Sequence, residues 1–590
     1  MNRAVVGLGS CGQAAGAARV LDALRATALQ MDLAVEVRGT GCLGMCYREV
    51  LVELVSAEMG RCLYGRVTPE SIPALLEAHF ENRVIVEDLL ISRGDDLSRE
   101  IEFLAAQERI VLRNCGSIDP ESLDDYLAAG GYQALERVLH DWDPDRVIAE
   151  IEAAGLRGRG GAGFPTGRKW RTARGAPGEE KFIICNGDEG DPGAFMDRNL
   201  IEGDPFALLE GMTIAAYAIG ARRGIVYVRD EYPLAVARIE NAVARAHERG
   251  YLGPSIAGSG VELEIEIARG AGAFVCGEET ALIASLEGRR GWPTIRPPYP
   301  VEVGLHGMPT VINNVETLAN VPWIVAHGAE AFHAYGIGES RGTKVFSLAG
   351  DVRHTGMVEV PMGVSLREIV EEIGGGSPRG RPIKAVQIGG PAGGCLPASM
   401  LTDTRVDYES LAPTGAIMGS GGLVVMDDSN CMVDVARYFL AFCAAESCGK
   451  CTFCRIGTQR MLEIMNRLCA GKGKRNDLDM LDTLAGQVRQ GSLCGLGKSA
   501  PNPVSTTLRY FRDEYQAHLD GRCPAGKCRD LITFRIQPAL CEGCTLCLEQ
   551  CPTAAISKRP RIIPLEISTD LCTRCGGCFH TCPFEAIGVH

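Results

Sequence analysis

The C-terminal segment repeats one cysteine spacing twice, and this repeat constrains the possible folds more than any other feature of the sequence. Each copy reads CxxCxxCxxxCP, and the two copies contain Cys541, Cys544, Cys547 and Cys551, and then Cys572, Cys575, Cys578 and Cys582. Disulfide scaffolds with many cysteines belong to short secreted chains, whereas this chain has 590 residues. In a reducing compartment, such closely spaced thiolates indicate bound metal clusters.

The repeat is the pattern of a two-cluster ferredoxin, in which the fourth cysteine of each run ligates the other cluster. It therefore predicts two [4Fe–4S] clusters, one held by Cys541, Cys544, Cys547 and Cys582, and the other by Cys572, Cys575, Cys578 and Cys551. A zinc ribbon is the alternative. The number of cysteines and the two Cys-Pro endings favour iron–sulfur clusters.

Another close triplet lies upstream of the repeat. Cys448, Cys451 and Cys454 form a CxxCxxC, and Cys494 follows in the segment SLCGLGK. Three close thiolates and one distant thiolate suit a further [4Fe–4S] cluster, although four cysteines can also bind zinc. We predict a cluster at this position, anchored on a helical bundle.

A separate set of ligands lies between these cysteine runs. One imidazole and three thiolates suit tetrahedral structural zinc, and the candidate ligands are Cys469, His518, Cys523 and Cys528. Cys443 is the alternative fourth ligand, and the competing interpretation is a group of ordinary thiols beside a solvated histidine. The other cysteines are expected to pack in the interior: Cys62, Cys115, Cys185, Cys276, Cys395, Cys431 and Cys443.

Length and charge restrict the class of protein. A chain of 590 residues is too long for one core and predicts several domains. The net charge of −14 argues against nucleic acid as a partner. No run approaches the roughly 18 apolar residues of a membrane helix, and the start MNRAVVGLGS lacks an export signal. We therefore predict a soluble, cytoplasmic chain that does not itself span a membrane.

Helix and strand patterns divide the chain into five regions, which together predict an α/β multidomain protein. The predicted regions are a small α/β domain at 1–85, a glycine-rich helix-and-strand domain at 86–340, a β-rich domain at 341–429, a helical bundle at 430–529 and the cysteine repeat at 530–590. In the first domain we predict a strand at 3–6 and a helix near 14–30. Asn430 is the predicted cap of the bundle's first helix.

The glycine-rich region contains a candidate ligand loop, GLRGRGGAGFPTGRKW at 155–170. Its glycines allow the backbone to approach a ligand closely, and Lys169 could face a phosphate. GRGGAG matches G-x-G-x-x-G only by spelling, which is a weak signal alone. A second match, GLGSCG at 7–12, is rejected as a nucleotide site because Cys11 shares its small domain with other closely spaced cysteines.

Three companion motifs make the region specific: FIICNGDEGDPGAFMDR at 182–198, GAGAFVCGEETALIASLEGRRGWPTIRPPYP at 270–300 and PTVINNVET at 309–317. Together with the loop at 155–170, they resemble the FMN and NADH site of the complex I flavoprotein family over roughly residues 110–520. The resemblance implies a Rossmann-like domain, a ubiquitin-like β-grasp (SLBB-type) domain and a four-helix cluster bundle. It also supports zinc, because β subunits of multimeric NAD-linked hydrogenases carry such a site.

The resemblance assigns roles to individual residues. The implied FMN contacts are Gly158, Gly160, Gly161, Lys169, Asn186, Asp188, Ile312, Asn313, Asn314 and Thr317. The implied NAD(H) contacts are Phe164, Asp191, Phe274, Glu278, Glu279 and Tyr299, with Phe164 and Tyr299 stacking on the rings. Carboxylates beside the ribose favour NAD over NADP, because they would repel a 2′-phosphate.

Two positions depart from the family pattern in the nicotinamide pocket. Asp191 replaces a glutamate, and Thr172 stands where a second stacking phenylalanine is common. These departures keep open a different class of function, a non-catalytic electron-relay subunit that has lost its nucleotide site.

The N-terminal domain resembles a thioredoxin-like [2Fe–2S] domain through Cys11, Cys42 and Cys46. That domain uses C-x₄-C followed by C-x₃-C, and the first ligand position is here Val6. Either Cys62 substitutes for the missing ligand, or the domain is a docking remnant without a cluster.

The fusion of both terminal domains to the flavoprotein core is similar to the β subunit of multimeric, often electron-bifurcating, NAD-dependent hydrogenases. The resemblance implies hydride exchange between NAD(H) and FMN, which needs no acid–base side chain, followed by one-electron transfer along the clusters. The implied partners are a cluster-rich subunit, a thioredoxin-like [2Fe–2S] subunit, a hydrogenase catalytic subunit and ferredoxin. The alternatives are an NAD-linked formate dehydrogenase, a transhydrogenase, a benzoyl-CoA reductase complex and membrane-bound complex I itself.

Overall fold

The computed structural model describes residues 2–94, 96–558 and 565–589. The chain forms two compact units: Met1–Arg381, Ala385–Val425 and Leu493–Leu496 make the first, and Pro382–Lys384, Met426–Ser492 and Gly497–His590 make the second. The mixed α/β, multidomain architecture is confirmed. The five-domain division stays a prediction, and parts of its first, second and last ranges lie outside the described residues.

The N-terminal region is a mixed sheet covered by a helix. Its elements are β1 (Asn2–Gly7), α1 (Ser10–Ala15), α2 (Ala17–Gln30), β2 (Val35–Thr40), β3 (Val52–Ser56), β4 (Gly60–Tyr64), α3 (Ile72–Leu76) and β5 (Leu90–Arg93). The strand order is β2-β1-β3-β4-β5, and β1 is parallel to β2 and antiparallel to β3. The predicted first strand and following helix are confirmed as β1 and α2.

Short helices follow and lead into the glycine-rich region: α4 (Leu97–Glu100), α5 (Glu102–Ala105), α6 (Leu123–Ala128), α7 (Gln133–Asp141) and α8 (Pro144–Ala153). Side chains cap two of these helices, because Ser122 and Asp143 each accept a hydrogen bond from a backbone N–H of the first turn. Apolar residues of α7 and α8 join the large core of the first unit.

A parallel sheet forms the centre of the first unit. Its elements are α9 (Thr166–Gly175), β6 (Phe182–Gly187), α10 (Met196–Gly203), α11 (Pro205–Ile219), β7 (Arg223–Arg229), α12 (Pro233–Glu248), β8 (Glu264–Gly270), α13 (Glu279–Leu286), β9 (Thr310–Asn314), α14 (Val315–His327) and α15 (Ala329–His333). The strand order is β8-β7-β6-β9, and all neighbouring pairs are parallel. Ligands of such sheets bind at the carboxyl ends of the strands.

A β-rich region follows, with β10 (Gly336–Ile337), β11 (Ser340–Arg341), β12 (Thr343–Gly350), β13 (Gly356–Pro361), β14 (Ile383–Ile388), β15 (Gly394–Pro397), α16 (Tyr408–Leu411) and β16 (Gly422–Asp427). Five strands form a mixed sheet in the order β13-β12-β16-β14-β15. The β character predicted here is confirmed, while the assignment to the ubiquitin-like β-grasp class stays a prediction.

Helices dominate the next region: α17 (Met432–Ala445), α18 (Thr452–Cys469), α19 (Asp477–Gly491), α20 (Gly495–Ser499), α21 (Asn502–Tyr510) and α22 (Arg512–Leu519). The predicted Asn430 cap is wrong. Cys431 occupies the cap position of α17, and its sulfur accepts a hydrogen bond from the backbone N–H of Asp434 at 3.5 Å.

The described residues of the cysteine repeat form two short antiparallel strand pairs and two short helices. The elements are β17 (Phe534–Ile536), α23 (Leu546–Glu549), β18 (Ile556–Ser557), β19 (Glu566–Ile567), α24 (Gly577–Thr581) and β20 (Ile587–Val589), with β17 antiparallel to β20 and β18 antiparallel to β19. Cysteines contribute much of its small core. Among the described residues of the whole chain, no helix has both the length and the apolar character needed to cross a bilayer.

Candidate functional site

The loop between α8 and α9 is held by backbone groups, which leaves its glycines close to the end of β9. Gly158 donates its N–H to the Phe164 carbonyl at 2.9 Å and accepts the Tyr408 hydroxyl at 2.7 Å. A Cβ on Gly160 would lie 3.2 Å from Cβ of Asn314, and Gly161 has a φ of +116°. A Cβ on Gly161 would lie 3.2 Å from the backbone of Gly419, and glycine adopts this positive φ without strain.

The carboxyl ends of β6 and β9 bring the predicted FMN residues side by side. In the register of the two strands, Asn186 is paired with Asn314. Asn186 donates to the Gly277 carbonyl at 2.9 Å, and Asn314 donates to Asp197 at 2.6 Å. Asn313 accepts the indole N–H of Trp170 at 2.9 Å. These bonds fix the amide side chains before any ligand binds.

The remaining predicted FMN residues lie around the same edge. Asp188 follows β6, and its backbone N–H donates to Asn186 at 3.1 Å. Thr317, in the first turn of α14, accepts the backbone N–H of Arg159 at 2.8 Å. Thus the loop and the two strand ends form one connected hydrogen-bonded frame.

Lys169 joins the predicted flavin and nucleotide residues. Its ammonium group donates to the Ile312 carbonyl at 2.9 Å and pairs with Glu279 at 2.5 Å. Ile312 belongs to the predicted FMN set, and Glu279 belongs to the predicted NAD(H) set. The structure therefore brings the two sets together at one cation.

Three of the predicted nucleotide residues lie at the start of α13: Glu278 and Glu279 begin the helix, and Phe274 lies in the turn just before it. Glu278 caps this helix by accepting the backbone N–H groups of Thr280 at 3.0 Å and Ala281 at 3.1 Å. Phe164 is 46% exposed and Tyr299 is 51% exposed. Large aromatic rings with this exposure offer stacking surfaces for a planar ligand.

Asp191 and Thr172, the two departures from the family pattern, lie in different environments. Asp191 accepts the hydroxyl of Ser420 at 3.0 Å, and burial raises the pKa of its carboxyl to about 7. Thr172 is exposed, and its hydroxyl donates to the Arg168 carbonyl at 3.0 Å. The short aspartate is therefore held by a residue of the β-rich region, a contact that the sequence did not reveal.

Arg229, at the carboxyl end of β7, is a candidate binding residue that the motifs did not indicate. Its Nη2 donates to Glu231 at 3.1 Å, while Nε and Nη1 are buried without a hydrogen-bond partner among the described residues. A Cβ on Gly190 would lie 2.5 Å from Nη1 of Arg229 and 2.8 Å from the ring of Phe274. Unpaired guanidinium N–H groups beside a predicted nucleotide contact can bind an anionic group.

The eight cysteines of the C-terminal repeat surround two separate hollows. One is lined by Cys541, Cys544, Cys547 and Cys582, and the other by Cys551, Cys572, Cys575 and Cys578. The grouping agrees with the crossed pairing predicted from the spacing. In the first hollow, burial raises the pKa of the Cys547 thiol, and the three neighbouring cysteines add to this rise.

The CxxCxxC of the bundle lies at the start of α18. Cys451 occupies the cap position, Cys454 is buried in the first turn, and Ser447 Oγ lies 3.2 Å from the Cys454 sulfur. Cys494 lies in Leu493–Leu496, a segment of the first unit. The sharing of one cluster by Cys494 and the three bundle thiols therefore stays a prediction.

The histidine-and-thiol group in the second unit differs from its prediction in one ligand. The ligand atoms that lie within 4.8 Å of one another belong to Cys431, His518, Cys523 and Cys528. Cys431 therefore takes the place predicted for Cys469 and is not an ordinary packing residue. Its sulfur lies 3.4 Å from His518 Nε2 and 3.7 Å from the Cys528 sulfur.

Helix geometry explains this correction. Cys431 caps the start of α17, whereas Cys469 ends α18 and forms a neighbouring group with Asp434 and Cys528. Cys443, the alternative ligand, lies 12 residues along α17 from Cys431, about 18 Å at the rise of an α-helix. His518 Nδ1 lies 2.7 Å from the Glu514 carbonyl, so the other ring nitrogen faces the thiols.

In the N-terminal domain, Cys11, Cys42 and Cys46 converge as predicted. Hydrogen bonds from the other two thiols lower the pKa of Cys11 to about 3. Glu49 lies beside them, and burial raises the pKa of its carboxyl to about 7. Cys62 does not join the group, because its sulfur lies in the apolar core 4.0 Å from the Met59 carbonyl.

The functional candidates that the sequence did not indicate are Arg229, Ser420, Cys431 and Glu49. Cys431 had a usable signal, since a cysteine stands where a helix cap is expected. Glu49 lies three residues after the C-x₃-C, close enough in sequence to be considered as a ligand. For Arg229 and Ser420 there was no such signal, because tertiary packing alone brings them to the site.

Comparisons with known proteins identify three segments of the chain. Residues 151–323 match the Nuo51 FMN-binding domain, and residues 434–518 match the NADH-ubiquinone oxidoreductase-F iron-sulfur binding region. Residues 533–583 match a 4Fe-4S dicluster domain.

Individual relatives extend these matches. The chain is 54% identical over 452 residues to the NADP-reducing hydrogenase subunit HndC of Solidesulfovibrio fructosivorans, covering 76% of this chain and 92% of the relative. It is 47% identical over 418 residues to an F-type subunit of the NADH-quinone oxidoreductase of Rhizobium meliloti, covering 71% and 99%. A crystal structure of NAD+-reducing [NiFe]-hydrogenase in the H2-reduced state has a TM-score of 0.62 and 34% identity, covering 88% of this chain and 85% of that chain.

The resemblance drawn from the glycine-rich motifs is thereby confirmed, and so is the general class of oxidoreductase. The identity, coverage and domain matches together show that the chain belongs to the family of NADH-binding FMN and iron–sulfur subunits that includes the F-type subunits of NADH-quinone oxidoreductase.

Proposed function

We propose that the chain is the diaphorase subunit of a soluble, cytoplasmic, NAD(H)-linked hydrogenase and exchanges electrons between NAD(H) and iron–sulfur clusters. The observation that carries this proposal is the position of Lys169, whose ammonium group contacts both Ile312 and Glu279. This contact supports the proposal, because it brings one residue of the predicted flavin set and one of the predicted nucleotide set next to each other. The hydrogenase assignment is supported by the relatives, which include a subunit named for an NADP-reducing hydrogenase and a structure of an NAD+-reducing [NiFe]-hydrogenase.

The residues at the sheet edge fit FMN. Gly160 packs closely against Asn314, where an added Cβ would lie 3.2 Å away, and amide groups are already fixed at the ends of β6 and β9. The residues that would hold FMN are Gly158, Gly160, Gly161, Lys169, Asn186, Asp188, Ile312, Asn313, Asn314 and Thr317. When bound, FMN supplies the exchange between the two-electron chemistry of NAD(H) and the one-electron chemistry of clusters.

The pyridine nucleotide would bind across the start of α13. Phe164 and Tyr299 would stack on its rings, and Phe274, Glu278 and Glu279 would lie along its length. Arg229 would donate the N–H groups of Nε and Nη1 to the pyrophosphate, because these two buried donors have no partner among the described residues. These contacts orient the nucleotide, and no side chain has to act as a general acid or base.

The cysteine groups would hold the electron acceptors. The first [4Fe–4S] cluster to receive electrons from the flavin would be held by Cys448, Cys451, Cys454 and Cys494. The two C-terminal hollows would hold two more clusters. The C-terminal clusters would then exchange electrons with partner subunits. Cys431, His518, Cys523 and Cys528 would hold structural zinc, since one imidazole nitrogen and three sulfurs face one another.

The choice of nucleotide has a second candidate, NADP(H), which one contact favours. Arg296 lies 3.3 Å from Glu279 and 3.9 Å from Glu278, so a cation stands beside the carboxylates that would meet the ribose. Arginine at this position can accommodate a 2′-phosphate. A relative that shares 54% identity is named an NADP-reducing hydrogenase subunit. NAD(H) remains our first choice because the two carboxylates oppose a phosphate.

The test is an anaerobic titration of the purified full-length chain with NADH and, separately, with NADPH. Flavin absorbance and low-temperature EPR would be recorded after each addition. We expect prompt flavin bleaching by NADH, EPR signals of reduced [4Fe–4S] clusters, and much weaker bleaching by NADPH. Bleaching only by NADPH would replace the nucleotide assignment. No bleaching with either nucleotide, despite bound FMN and intact clusters, would instead indicate an electron-relay subunit.

Arg296→Ala is the matched variant for nucleotide choice, because it removes the cation and retains both carboxylates. If the first choice holds, this substitution leaves NADH as the better substrate. A selective loss of NADPH bleaching would show that Arg296 serves the 2′-phosphate.

A further inference from the structure

Arg159 lies in the glycine loop, between two of the predicted FMN-binding glycines, and its side chain is completely buried. Its guanidinium group donates hydrogen bonds only to backbone carbonyls. The three acceptors are Thr343 for Nε at 3.0 Å, Arg157 for Nη1 at 2.9 Å and Arg341 for Nη2 at 2.6 Å. These bonds anchor the glycine loop to β11 and to the start of β12.

No carboxylate compensates the charge of Arg159. Among the described residues it forms no ion pair, whereas two neighbouring cations do. Arg157 pairs with Glu409 at 2.6 Å, and Lys344 pairs with Glu316. A guanidinium group stays protonated in proteins. Carbonyl groups satisfy its N–H donors but do not cancel its positive charge, so the interior beside the glycine loop contains one unpaired cation.

The charge of Arg159 acts on groups at the loop itself. Burial raises the pKa of the Tyr408 hydroxyl, and the charge of Arg159 opposes this rise. The same hydroxyl donates to the carbonyl of Gly158 in the glycine loop at 2.7 Å. A buried charge is screened less by water and salt than a surface charge, so its effect extends further. A ligand bound against the loop therefore experiences a positive field.

A bound flavin changes its charge when it is reduced. Transfer of a hydride adds two electrons and one proton to the ring, so the product carries one more negative charge than the oxidised flavin. A cation nearby stabilises this product more than the oxidised form and thereby raises the reduction potential. A cation that is paired with a carboxylate has a smaller effect, because the two charges oppose each other.

We propose that the unpaired charge of Arg159 raises the reduction potential of FMN bound at the glycine loop. This inference rests on the proposed function, because it requires FMN at that loop. Arg159 exchanges neither a proton nor an electron, so it is not a catalytic residue. Its role also differs from that of Lys169, whose charge is paired with Glu279.

A purely structural role for Arg159 predicts a different result. A side chain that only holds the loop in place supports oxidised and reduced FMN equally, so its loss weakens the binding of both forms by the same factor. An unpaired charge instead favours the reduced form. The reduction potential separates the two roles, because it reports the ratio of the two affinities.

The experiment measures the reduction potential of FMN bound to the full-length protein, by anaerobic titration with redox mediators. The FMN-free form of each variant is titrated in parallel, and its absorbance is subtracted to remove the contribution of the clusters. Arg159→Gln should lower the ratio of reduced to oxidised flavin at a fixed potential by about tenfold, which is about 30 mV for a two-electron couple. Arg159→Lys should recover most of this shift, because it retains the charge but loses the fork of donors.

Two further variants test whether charge pairing is the cause. The matched control combines Arg157→Gln with Glu409→Gln, which removes a cation together with its carboxylate. This control also removes the bond from Arg157 to the Gly163 carbonyl at 2.6 Å, yet the potential should stay unchanged. Glu316→Gln leaves Lys344 without its carboxylate, so the potential should rise.

Each outcome bears on the proposal. An unchanged potential in Arg159→Gln, or an equal shift in Arg159→Lys and Arg159→Gln, would overturn it and leave Arg159 as a structural clamp. If Arg159→Gln binds no FMN, Glu316→Gln decides, and an unchanged potential there overturns the proposal. Absence of FMN from the unmodified chain would overturn the proposed function as well. Bleaching by NADH together with an unchanged potential in Arg159→Gln would overturn this inference alone.

Discussion

The two ends of the chain both gather cysteines, but with different results. At the C-terminus, eight cysteines line two hollows with four in each, and cysteines from both copies of the repeat contribute to each hollow. At the N-terminus, three thiols converge, and Val6 stands where a related pattern would have a fourth thiol. One end keeps every ligand of its motif, and the other has lost one.

The comparison shows that one missing ligand limits what the sequence can predict about a metal site. With four thiolates in each hollow, spacing alone gives the number of sites, the partners and the kind of cluster. With three thiolates, the sequence leaves the fourth ligand, the type of metal and even its presence open.

The largest expected effect tests the crossed ligand pairing of the C-terminal cysteine repeat. Cys582→Ser should abolish the cluster of Cys541, Cys544 and Cys547, and Cys551→Ser should abolish the cluster of the second run, because each cysteine closes the opposite set. Each variant should lose about four irons per chain. Iron analysis and EPR of the reduced protein measure the loss.

Cys395→Ser is the control, since Cys395 is a buried thiol in the β-rich region. Loss of the cluster in the cysteine's own run would show that the pairing is not crossed.

The second prediction contrasts a ligand found by structure with one suggested by spacing. Cys431→Ser should remove about one zinc ion per chain, whereas Cys469→Ser should retain it, because only Cys431 joins the group around His518. The melting temperature should fall more for Cys431→Ser, since metal binding is coupled to folding. Zinc analysis and thermal unfolding provide the measurements. Equal zinc loss in both variants would mean that Cys469 also binds the ion.

The third prediction extends the comparison to the nucleotide site, where Lys169 belongs to a motif and Arg229 does not. Arg229→Gln removes a buried charged donor and should raise KM for NADH by roughly 10- to 100-fold, with little change in kcat. Arg229→Lys should recover part of this loss, because it retains the charge. Steady-state kinetics with an artificial acceptor measure both constants. A fall in kcat at unchanged KM would indicate a role other than nucleotide binding.

The smallest effect concerns the substituted residue Asp191. Because burial raises the pKa of this carboxyl to about 7, it is neutral below that pH and negatively charged above it. NAD+ carries a positive nicotinamide ring and NADH does not, so raising the pH through 7 should strengthen NAD+ binding relative to NADH by up to about tenfold. Competition binding across this range measures the ratio, and Asp191→Asn should show no such dependence. An unchanged slope in Asp191→Asn would assign the effect to another group.

Several features could be predicted from residues alone because they depend on local spacing. The cysteine repeat specified its crossed grouping, and the glycine loop at 155–170 specified a backbone close to the end of β9. The family followed from four ordered motifs that span the flavin and nucleotide residues. In each case the ligand atoms, or the glycines that make room for them, are close in sequence or belong to one motif.

Other features were decided by the tertiary structure. Cys431 was expected to pack in the interior, and it is instead a helix cap that faces His518, which is 87 residues away in sequence. Arg229 and Ser420 belong to no motif, and the fold brings one to Phe274 and the other to Asp191. Glu49 lies three residues after Cys46, and the fold brings its Oε1 to 3.9 Å from the sulfur of Cys42. Sequence spacing therefore determined which ligands are neighbours along the chain, whereas long-range packing decided which distant side chain completes each site.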